Sequence, residues 1–179
     1  MTVEEVYVDS FDNFEVDWVE VGANPYLNDS TANYIYTSLD GRYESKFGFP
    51  NSAGSNPINS VKIRVEAKIV IVDIGSDAKV YVWDGTSWVY LGDTEATTSY
   101  AWHEFDVSAI LDTWTKINGA KLRFLSVVWD GYLYVRRATR KVDYGEALPV
   151  VKKPIMKIDK GPHPRSRLQF KPSMKNVFG

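Results

Sequence analysis

The stretch VKIRVEAKIVIV, residues 61–72, decides the fold, because its apolar and charged residues alternate with a period of two. The odd positions 61–71 hold Val, Ile or Ala, and charged side chains hold the even positions Lys62, Arg64, Glu66 and Lys68. A strand that buries one face and exposes the other gives this pattern. The sequence therefore predicts a half-buried β-strand that becomes more deeply buried after residue 69, where the charged residues end.

Similar patterns predict further strands on both sides of this stretch, separated by clusters of Asn, Asp, Gly, Ser and Pro. Such spacing is typical of an antiparallel β-sandwich. The predicted strands are Glu5–Val8, Phe14–Val21, Asn33–Thr37, Arg42–Phe49, Lys79–Trp83, Trp88–Leu91, Tyr100–Val107, Ala120–Trp129, Tyr132–Arg137 and Arg140–Tyr144. One helical turn is predicted at 108–113, with Ser108 as its cap. We expect an all-β fold: an antiparallel β-sandwich (jelly roll) at residues 1–148 and an extended C-terminal arm at 149–179.

Two tight turns join neighbouring predicted strands. In VYVWDGTSWVYLG, residues 80–92, Asp84-Gly85 lies between Trp83 and Trp88, so both indole rings are expected beside the turn. The sequence Trp129-Asp130-Gly131 repeats the same signature before the strand that begins at Tyr132. These turns predict two β-hairpins with aromatic side chains at their ends.

The charge is divided unevenly along the chain. Residues 1–150 carry 13 Lys and Arg against 22 Asp and Glu, a net charge of −9, whereas residues 151–179 carry 8 against one, a net charge of +7. Four prolines in the second segment disfavour a long helix. We predict that this arm docks on a neighbouring protein subunit, either another copy of the chain in a homo-oligomer or a capsid or tail protein. The alternatives are that the arm lies on its own acidic body, or that it binds nucleic acid or is disordered. The expected contact residues are Lys152, Lys153, Ile155, Lys157, Ile158, Arg165, Arg167, Leu168, Phe170 and Phe178.

Several function classes lack the residues that they need. The chain has no cysteine and two histidines, and no nucleophile elbow or phosphate-binding loop occurs. A glycoside hydrolase would need two facing carboxylates, which no motif indicates. No signal peptide is visible, and no apolar run reaches the roughly 18 residues of a membrane span. The sequence therefore predicts a protein that is not an enzyme and that binds no nucleic acid.

The order of several segments resembles that of the galactose-binding-like jelly rolls, to which many carbohydrate-binding modules belong. Those segments are the aromatic strand around Phe47, the WDGTSW hairpin at 83–88, the run Trp102–Ser108 and the strand Ala120–Phe124. Similar hairpins occur in phage or archaeal-virus structural proteins and in microbial surface proteins. The resemblance implies a structural Ca²⁺ as an option, although the basic residues Arg136 and Arg137 in the closing strand count against it.

Two functional hypotheses follow from these features. The first is a structural protein of a virion, a capsid-decorating or tail-associated subunit, whose arm contacts other protein subunits. The alternative is a glycan-binding module for adhesion or host recognition. Its expected ligand-binding residues are Trp83, Trp88, Trp129, Tyr34 and Tyr36, because sugar rings stack on exposed aromatic faces. Either hypothesis predicts a location on the virion or the cell surface.

Deleting residues 151–179 should leave the sandwich folded, because a segment with four prolines and few apolar residues contributes little to a core encoded before Pro149. Circular dichroism and thermal unfolding of the full-length and truncated chains test this. An insoluble truncated chain, or one that melts far below the full-length chain, would mean that the arm packs on its own body.

Overall fold

The alternating stretch at 61–72 lies within a long strand that pairs with another of the same length. The computed structural model describes residues 1–12, 18–22, 27–42, 46–54, 56–70, 77–95, 97–128 and 131–145. In it β6 (Ile58–Val70) and β11 (Tyr132–Tyr144) run antiparallel along 13 residues each. Odd-numbered residues of β6 from Val61 to Ile69 are buried, as the sequence pattern predicts.

This pair of strands belongs to the first of two antiparallel sheets, which face each other. The first sheet has the order β3-β4-β11-β6-β9, with β1 also pairing with β11, and the second has the order β2-β5-β10-β7-β8. The remaining strands of the first sheet are β1 (Thr2–Tyr7), β3 (Val19–Val21), β4 (Tyr34–Thr37) and β9 (Ala101–Asp106). Those of the second sheet are β2 (Ser10–Asp12), β5 (Lys46–Gly48), β7 (Asp77–Trp83), β8 (Trp88–Asp93) and β10 (Lys121–Val127). The predicted β-sandwich of the jelly-roll kind is confirmed.

The core lies between the two sheets and consists of apolar residues from alternate strand positions. The first sheet contributes side chains such as Ile63 and Val135, and the second contributes Val80, Leu122 and Phe124, all fully buried. Because successive side chains of a strand point to opposite faces, the intervening residues of every strand lie on an outer face of the sandwich. These outer faces are where a ligand could contact the sheets.

The strand predictions are largely confirmed among the described residues; positions 14–17, 43–45 and 129 of the predicted strands lie outside them. The second predicted hairpin is wrong, because β10 belongs to the second sheet and β11 to the first, so these two strands do not pair. A further difference lies at the C-terminal side. The predicted strands Tyr132–Arg137 and Arg140–Tyr144 are a single strand, β11. Its register against β6 shifts between Val135 and Arg137, which marks a β-bulge. The bulge interrupts the regular alternation, so the sequence pattern looks like two short strands.

The single turn predicted at 108–113 is present, because the backbone N–H groups of Ile110 and Leu111 both donate to the carbonyl oxygen of Val107, but Ser108 is not its cap. The helix α1 (Trp114–Gly119) follows this turn and was not predicted; the Thr113 side chain accepts its capping hydrogen bond from the backbone N–H of Lys116. Ser108 instead accepts a hydrogen bond from the backbone N–H of Val61 and donates one to Asp106. Its hydroxyl therefore fastens the turn after β9 to β6.

One large polar side chain lies inside the sandwich. Arg140 of β11 is fully buried, and its guanidinium donates hydrogen bonds to the backbone oxygens of Ile117 and Pro50 and to the hydroxyl of Ser52. Burial lowers the pKa of Arg140, while the charges of Glu4 and Asp9 act in the opposite direction. Without these hydrogen bonds, the backbone oxygens of Ile117 in α1 and of Pro50 after β5 would lack the bonds that Arg140 donates.

The chain divides into two units, Met1–Leu148 and Pro149–Gly179. The second unit, with all the predicted arm contacts from Lys152 to Phe178, lies outside the described residues. The extended arm and its docking therefore stay predictions. Within the described residues, no helix has the length and apolar character needed to cross a membrane.

Gly85→Val should lower the free energy of unfolding by about 1–3 kcal/mol, the range for local backbone strain. Gly85 has φ +101°, which a β-branched residue adopts poorly, and a Cβ there would meet no atom within 4 Å, so the cost would be purely conformational. Urea denaturation measures the change. Thr86→Val places the same valine at the neighbouring exposed position, where it replaces a β-branched side chain of the same shape, and should have little effect. Equal losses in both variants would contradict the backbone explanation.

Candidate functional site

Four tyrosines form a cluster on the outer face of the first sheet. Antiparallel pairing places Tyr36 of β4 directly opposite Tyr134 of β11, and their rings are stacked with centroids 5.2 Å apart and an interplanar angle of 19°. Tyr34 lies 5.7 Å from Tyr134, and Tyr132 lies 5.9 Å from Tyr36, in both cases between ring centroids. The residues between them, such as Leu133, are buried, so the rings point away from the core.

The cluster continues across the neighbouring strand. Lys68 of β6 pairs with Tyr134, and its Nζ lies 5.0 Å from the Tyr134 ring centroid and 4.6 Å from that of Tyr100, the residue before β9. The guanidinium carbon of Arg136 lies 4.0 Å from the Tyr100 centroid. Cations at these distances are attracted by the negative face of an aromatic ring.

Trp102 extends the aromatic surface along β9. The guanidinium carbons of Arg64 and Arg137 lie 4.6 Å and 5.0 Å from its ring centroid. We call the whole surface the aromatic face and define it by the residues Tyr34, Tyr36, Glu66, Lys68, Tyr100, Trp102, Tyr132, Tyr134, Arg136 and Arg137. It crosses β4, β11, β6 and β9, a width of about 14 Å at a strand spacing of about 4.8 Å.

The β-bulge of β11 brings two consecutive arginines to this one face. Arg136 is the extra residue in the register, so Arg137 pairs with Glu66 while Val135 pairs with Ala67. Each arginine donates two hydrogen bonds to the Glu66 carboxylate, through Nε and Nη2, at 2.6–2.9 Å. The Glu66 side chain is 5% exposed, whereas those of Arg136 and Arg137 are 19% and 21% exposed. The carboxylate is thus covered, and the guanidiniums reach the surface.

The ionisation of Glu66 follows from these contacts. Burial raises the pKa of its carboxyl, but the hydrogen bonds and charges of Arg136 and Arg137 outweigh burial and lower the pKa to about 2. Glu66 is therefore ionised throughout the physiological pH range. Burial raises the pKa of Tyr100 to about 12, so its hydroxyl stays protonated there.

The tryptophans predicted at the first hairpin lie on the other outer face of the sandwich. Trp83 and Trp88 pair across β7 and β8 with ring centroids 5.6 Å apart, and both are partly exposed. Tyr81 and Tyr90 form a second ring pair, and Arg123 of β10 lies over Trp88 at 4.5 Å from its centroid. We call these five residues the hairpin patch.

The structure thus separates the predicted ligand-binding residues into two groups. Tyr34 and Tyr36 join the aromatic face, Trp83 and Trp88 lie in the hairpin patch, and Trp129 is outside the described residues. Whether any of them binds a ligand stays a prediction. The sequence analysis missed Tyr132 and Tyr134 as partners of the β4 tyrosines. The shared Tyr-aliphatic-Tyr pattern of YIYT and YLYV was the available signal.

Metal binding or catalysis would need a cluster of histidine, carboxylate or nucleophilic side chains. Among the described residues, no group of three or more His, Asp or Glu side chains could hold a metal ion, and the structural Ca²⁺ stays a prediction. His103 of β9 has its pKa lowered by burial, and its Nε2 has no hydrogen-bond partner in the described part of the chain.

Comparisons with known proteins give structural neighbours only. No family model matches the chain, and no curated protein does. Family 29 carbohydrate-binding module CBM29_1 from Piromyces equi is 12% identical with a TM-score of 0.47, covering 80% of this chain and 93% of its own. The C-terminal CBM6 of LamC, a marine laminarinase from Zobellia galactanivorans, is 10% identical with a TM-score of 0.47, covering 79% and 100%. The CBM22-1 xylan-binding domain of Paenibacillus barcinonensis Xyn10C is 11% identical with a TM-score of 0.43, covering 78% and 96%.

Solved structures similar to this chain thus include carbohydrate-binding modules, the class that the sequence resemblance names. Identities of 10–12% identify no ligand for this chain. A functional proposal for this chain therefore rests on the side chains of its own surface.

Glu66→Gln should destabilise the sandwich by about 3 kcal/mol at pH 7, the equivalent of moving its pKa from 4.5 to about 2. A lowered pKa stabilises the fold fully above pH 4.5, and this contribution is lost as the pH falls towards 2. The difference between the variant and the original chain should therefore shrink with acidification, as urea denaturation at pH 7 and pH 3 can measure.

Glu104→Gln is the matched control for this prediction. Glu104 lies on the same outer face and pairs with Lys62 and Arg64, but its side chain is 42% exposed. Its loss should cost at most about 1 kcal/mol. We call the pairing of the covered Glu66 carboxylate with Arg136 and Arg137 the Glu66 clamp. A Glu66 effect no larger than that of Glu104, or one that is independent of pH, would contradict its stabilising role.

Proposed function

We propose that the protein is a glycan-binding module and that the aromatic face is its binding surface. The observation that carries this proposal is a surface of six rings that spans four strands: four tyrosines in mutual contact on β4 and β11, with Tyr100 and Trp102 joined to them through the charged donors Lys68, Arg136 and Arg137. A sugar ring has an apolar C–H face and a rim of hydroxyl groups. A surface that binds it needs flat aromatic area and fixed polar groups side by side.

Tyrosine suits both requirements. Its ring supplies apolar contact area with few rotatable bonds, and its hydroxyl donates and accepts hydrogen bonds. Tyr132 is 40% exposed, and Tyr34, Tyr36 and Tyr134 are partly exposed. A contiguous aromatic surface of this kind on an outer sheet face marks an interaction site more often than isolated apolar residues do. The rings therefore favour a ligand with an extended, partly apolar face.

The hairpin patch is the weaker candidate. Its four rings lie on two strands at the edge of the second sheet, and the Arg123 guanidinium covers part of Trp88. The aromatic face spans four strands of the first sheet, from β4 to the edge strand β9, and offers a longer contact surface. This supports a site built mainly from Tyr34 and Tyr36 among the residues predicted from sequence.

The virion hypothesis depends on the arm, whose residues lie outside the described ones. No feature of the described residues favours a capsid or tail role over ligand binding. A binding module needs no catalytic residues, in agreement with the prediction that the protein is not an enzyme. Attachment of a cell or particle to a glycan-bearing surface is the role that a glycan module would serve.

Tyr36→Ala and Tyr134→Ala should each weaken glycan binding at least about tenfold, equivalent to roughly 1.4 kcal/mol of lost contact. A glycan array identifies the ligand, and calorimetric titration of the original chain and both variants with it gives the affinities. Thermal unfolding of each variant shows whether the sheet is intact.

Tyr90→Ala is the matched control, because Tyr90 is a 48% exposed tyrosine on the other outer face. It should leave binding unchanged. If it abolishes binding while the two aromatic-face variants bind normally, the hairpin patch is the site. If the original chain binds no glycan on the array, the proposed function is wrong.

A further inference from the structure

The Glu66 clamp leaves many hydrogen-bond donors on the aromatic face without a protein acceptor. A guanidinium has five N–H groups, and Arg136 and Arg137 each use two of them on Glu66. Within the described part of the chain, neither Nη1 makes a hydrogen bond. Because the shared carboxylate fixes both guanidiniums, the remaining N–H groups are held in place before any ligand arrives.

Lys68 adds a third cation beside them. Its ammonium group contacts the rings of Tyr100 and Tyr134 and has no hydrogen bond or ion pair among the described residues. Since Lys68 Nζ and Arg136 Cζ lie 4.6 Å and 4.0 Å from the same Tyr100 centroid, they are at most 8.6 Å apart. The three cations therefore lie within reach of one or two neighbouring groups of a single ligand.

The local charge is positive on a body that is acidic as a whole. Lys68, Arg136 and Arg137 carry three positive charges against the negative charge of Glu66 and that of Asp29, which also acts on Arg137, so the net charge is +1. Further along the same face, Lys62 and Arg64 are matched by the carboxylates of Glu5 and Glu104. The unbalanced positive charge on this face therefore lies in the part of the sheet next to the tyrosines.

The chemistry of the donors distinguishes between ligands. A neutral sugar hydroxyl both donates and accepts, whereas guanidinium and ammonium groups only donate. The one carboxylate among these charged groups is covered, and its oxygens already accept four hydrogen bonds. A surface whose charged groups only donate matches a ligand group that only accepts, which a carboxylate or a sulfate does.

We infer that the glycan bound at the aromatic face is acidic, with carboxylate or sulfate groups held by Lys68, Arg136 and Arg137 while the tyrosines contact its sugar rings. This inference rests on the proposed function. The body's net charge of −9 opposes long-range attraction of a polyanion. Recognition is therefore a short-range event, made by donors in direct contact with single anionic groups.

The test uses two matched pairs of polysaccharides. One pair is polygalacturonate and its carboxyl-reduced form, and the other is a sulfated galactan and its chemically desulfated form. Within a pair the sugar backbone is the same and only the charge differs. Calorimetric titration at about 0.15 M salt, where charges are screened beyond about 8 Å, should show at least about tenfold tighter binding of one acidic polymer than of its neutral partner. The pair that shows the difference identifies carboxylate or sulfate as the recognised group.

Lys68→Met keeps an unbranched side chain of similar length and removes the charge. It should abolish most of the preference for the acidic polymer, so that the acidic and neutral members of the pair bind with similar affinity. Lys79→Met, on the outer face of the second sheet, is the control and should change neither affinity. Equal loss in both lysine variants, or no loss in Lys68→Met, would overturn the inference.

The outcomes for the original chain separate the two proposals. Equal binding of the acidic and neutral members of both pairs overturns the inference and leaves glycan binding in place. Binding of neutral array glycans alone, with no response to either acidic polymer, has the same consequence. Absence of binding to every glycan, neutral or acidic, overturns the proposed function itself.

Discussion

The β-bulge at Arg136 is the constraint on which both faces of the first sheet depend. Along β11 the buried apolar residues are Leu133 and Val135 before the bulge, and Ala138 and Val142 after it. These residues can all face the core only if one extra residue, Arg136, interrupts the alternation between positions 135 and 138. A regular strand would turn Ala138 and Val142 towards solvent. The same insertion directs two consecutive arginines to the outer surface, so core packing and surface charge have one geometric origin.

Glu66 makes this arrangement stable. Two adjacent guanidiniums on one sheet face would repel each other, and a covered carboxylate alone would be costly to bury. Paired through four hydrogen bonds, each group offsets the cost of the other and leaves one positive charge over. The same three residues that stabilise the sheet thus hold the unused N–H groups of both arginines at the surface in a fixed orientation. Little side-chain ordering then remains for a ligand to impose, which lowers the entropic cost of binding.

The sequence predicts local features of this fold well and long-range features poorly. The alternation in β6 and the Asp84-Gly85 turn are short-range patterns, and both are found where they were predicted. The clamp joins residues 71 positions apart, and no local pattern indicates that Glu66 and Arg137 are neighbours. Arg140 was unpredictable for a related reason, since its buried partners come from segments far from β11 in the sequence. Helix α1 was not predicted, because Ser108 looked like the helix cap in the sequence, whereas Thr113 caps the helix in the structure.

The position of the aromatic face on strands, away from the loops, determines what kind of specificity it can have. Loops can close around a ligand, whereas side chains of paired strands are held by the ladder on both sides. Tyr36 and Tyr134 are fixed by direct strand pairing, and Lys68 is fixed opposite Tyr134 by the next ladder. Ring spacing and donor positions are therefore set by strand geometry, about 4.8 Å from one strand to the next. Under the proposed function, selection among glycans would come from how well a glycan's ring spacing and charges fit this fixed array, because the sheet itself has little freedom to adapt.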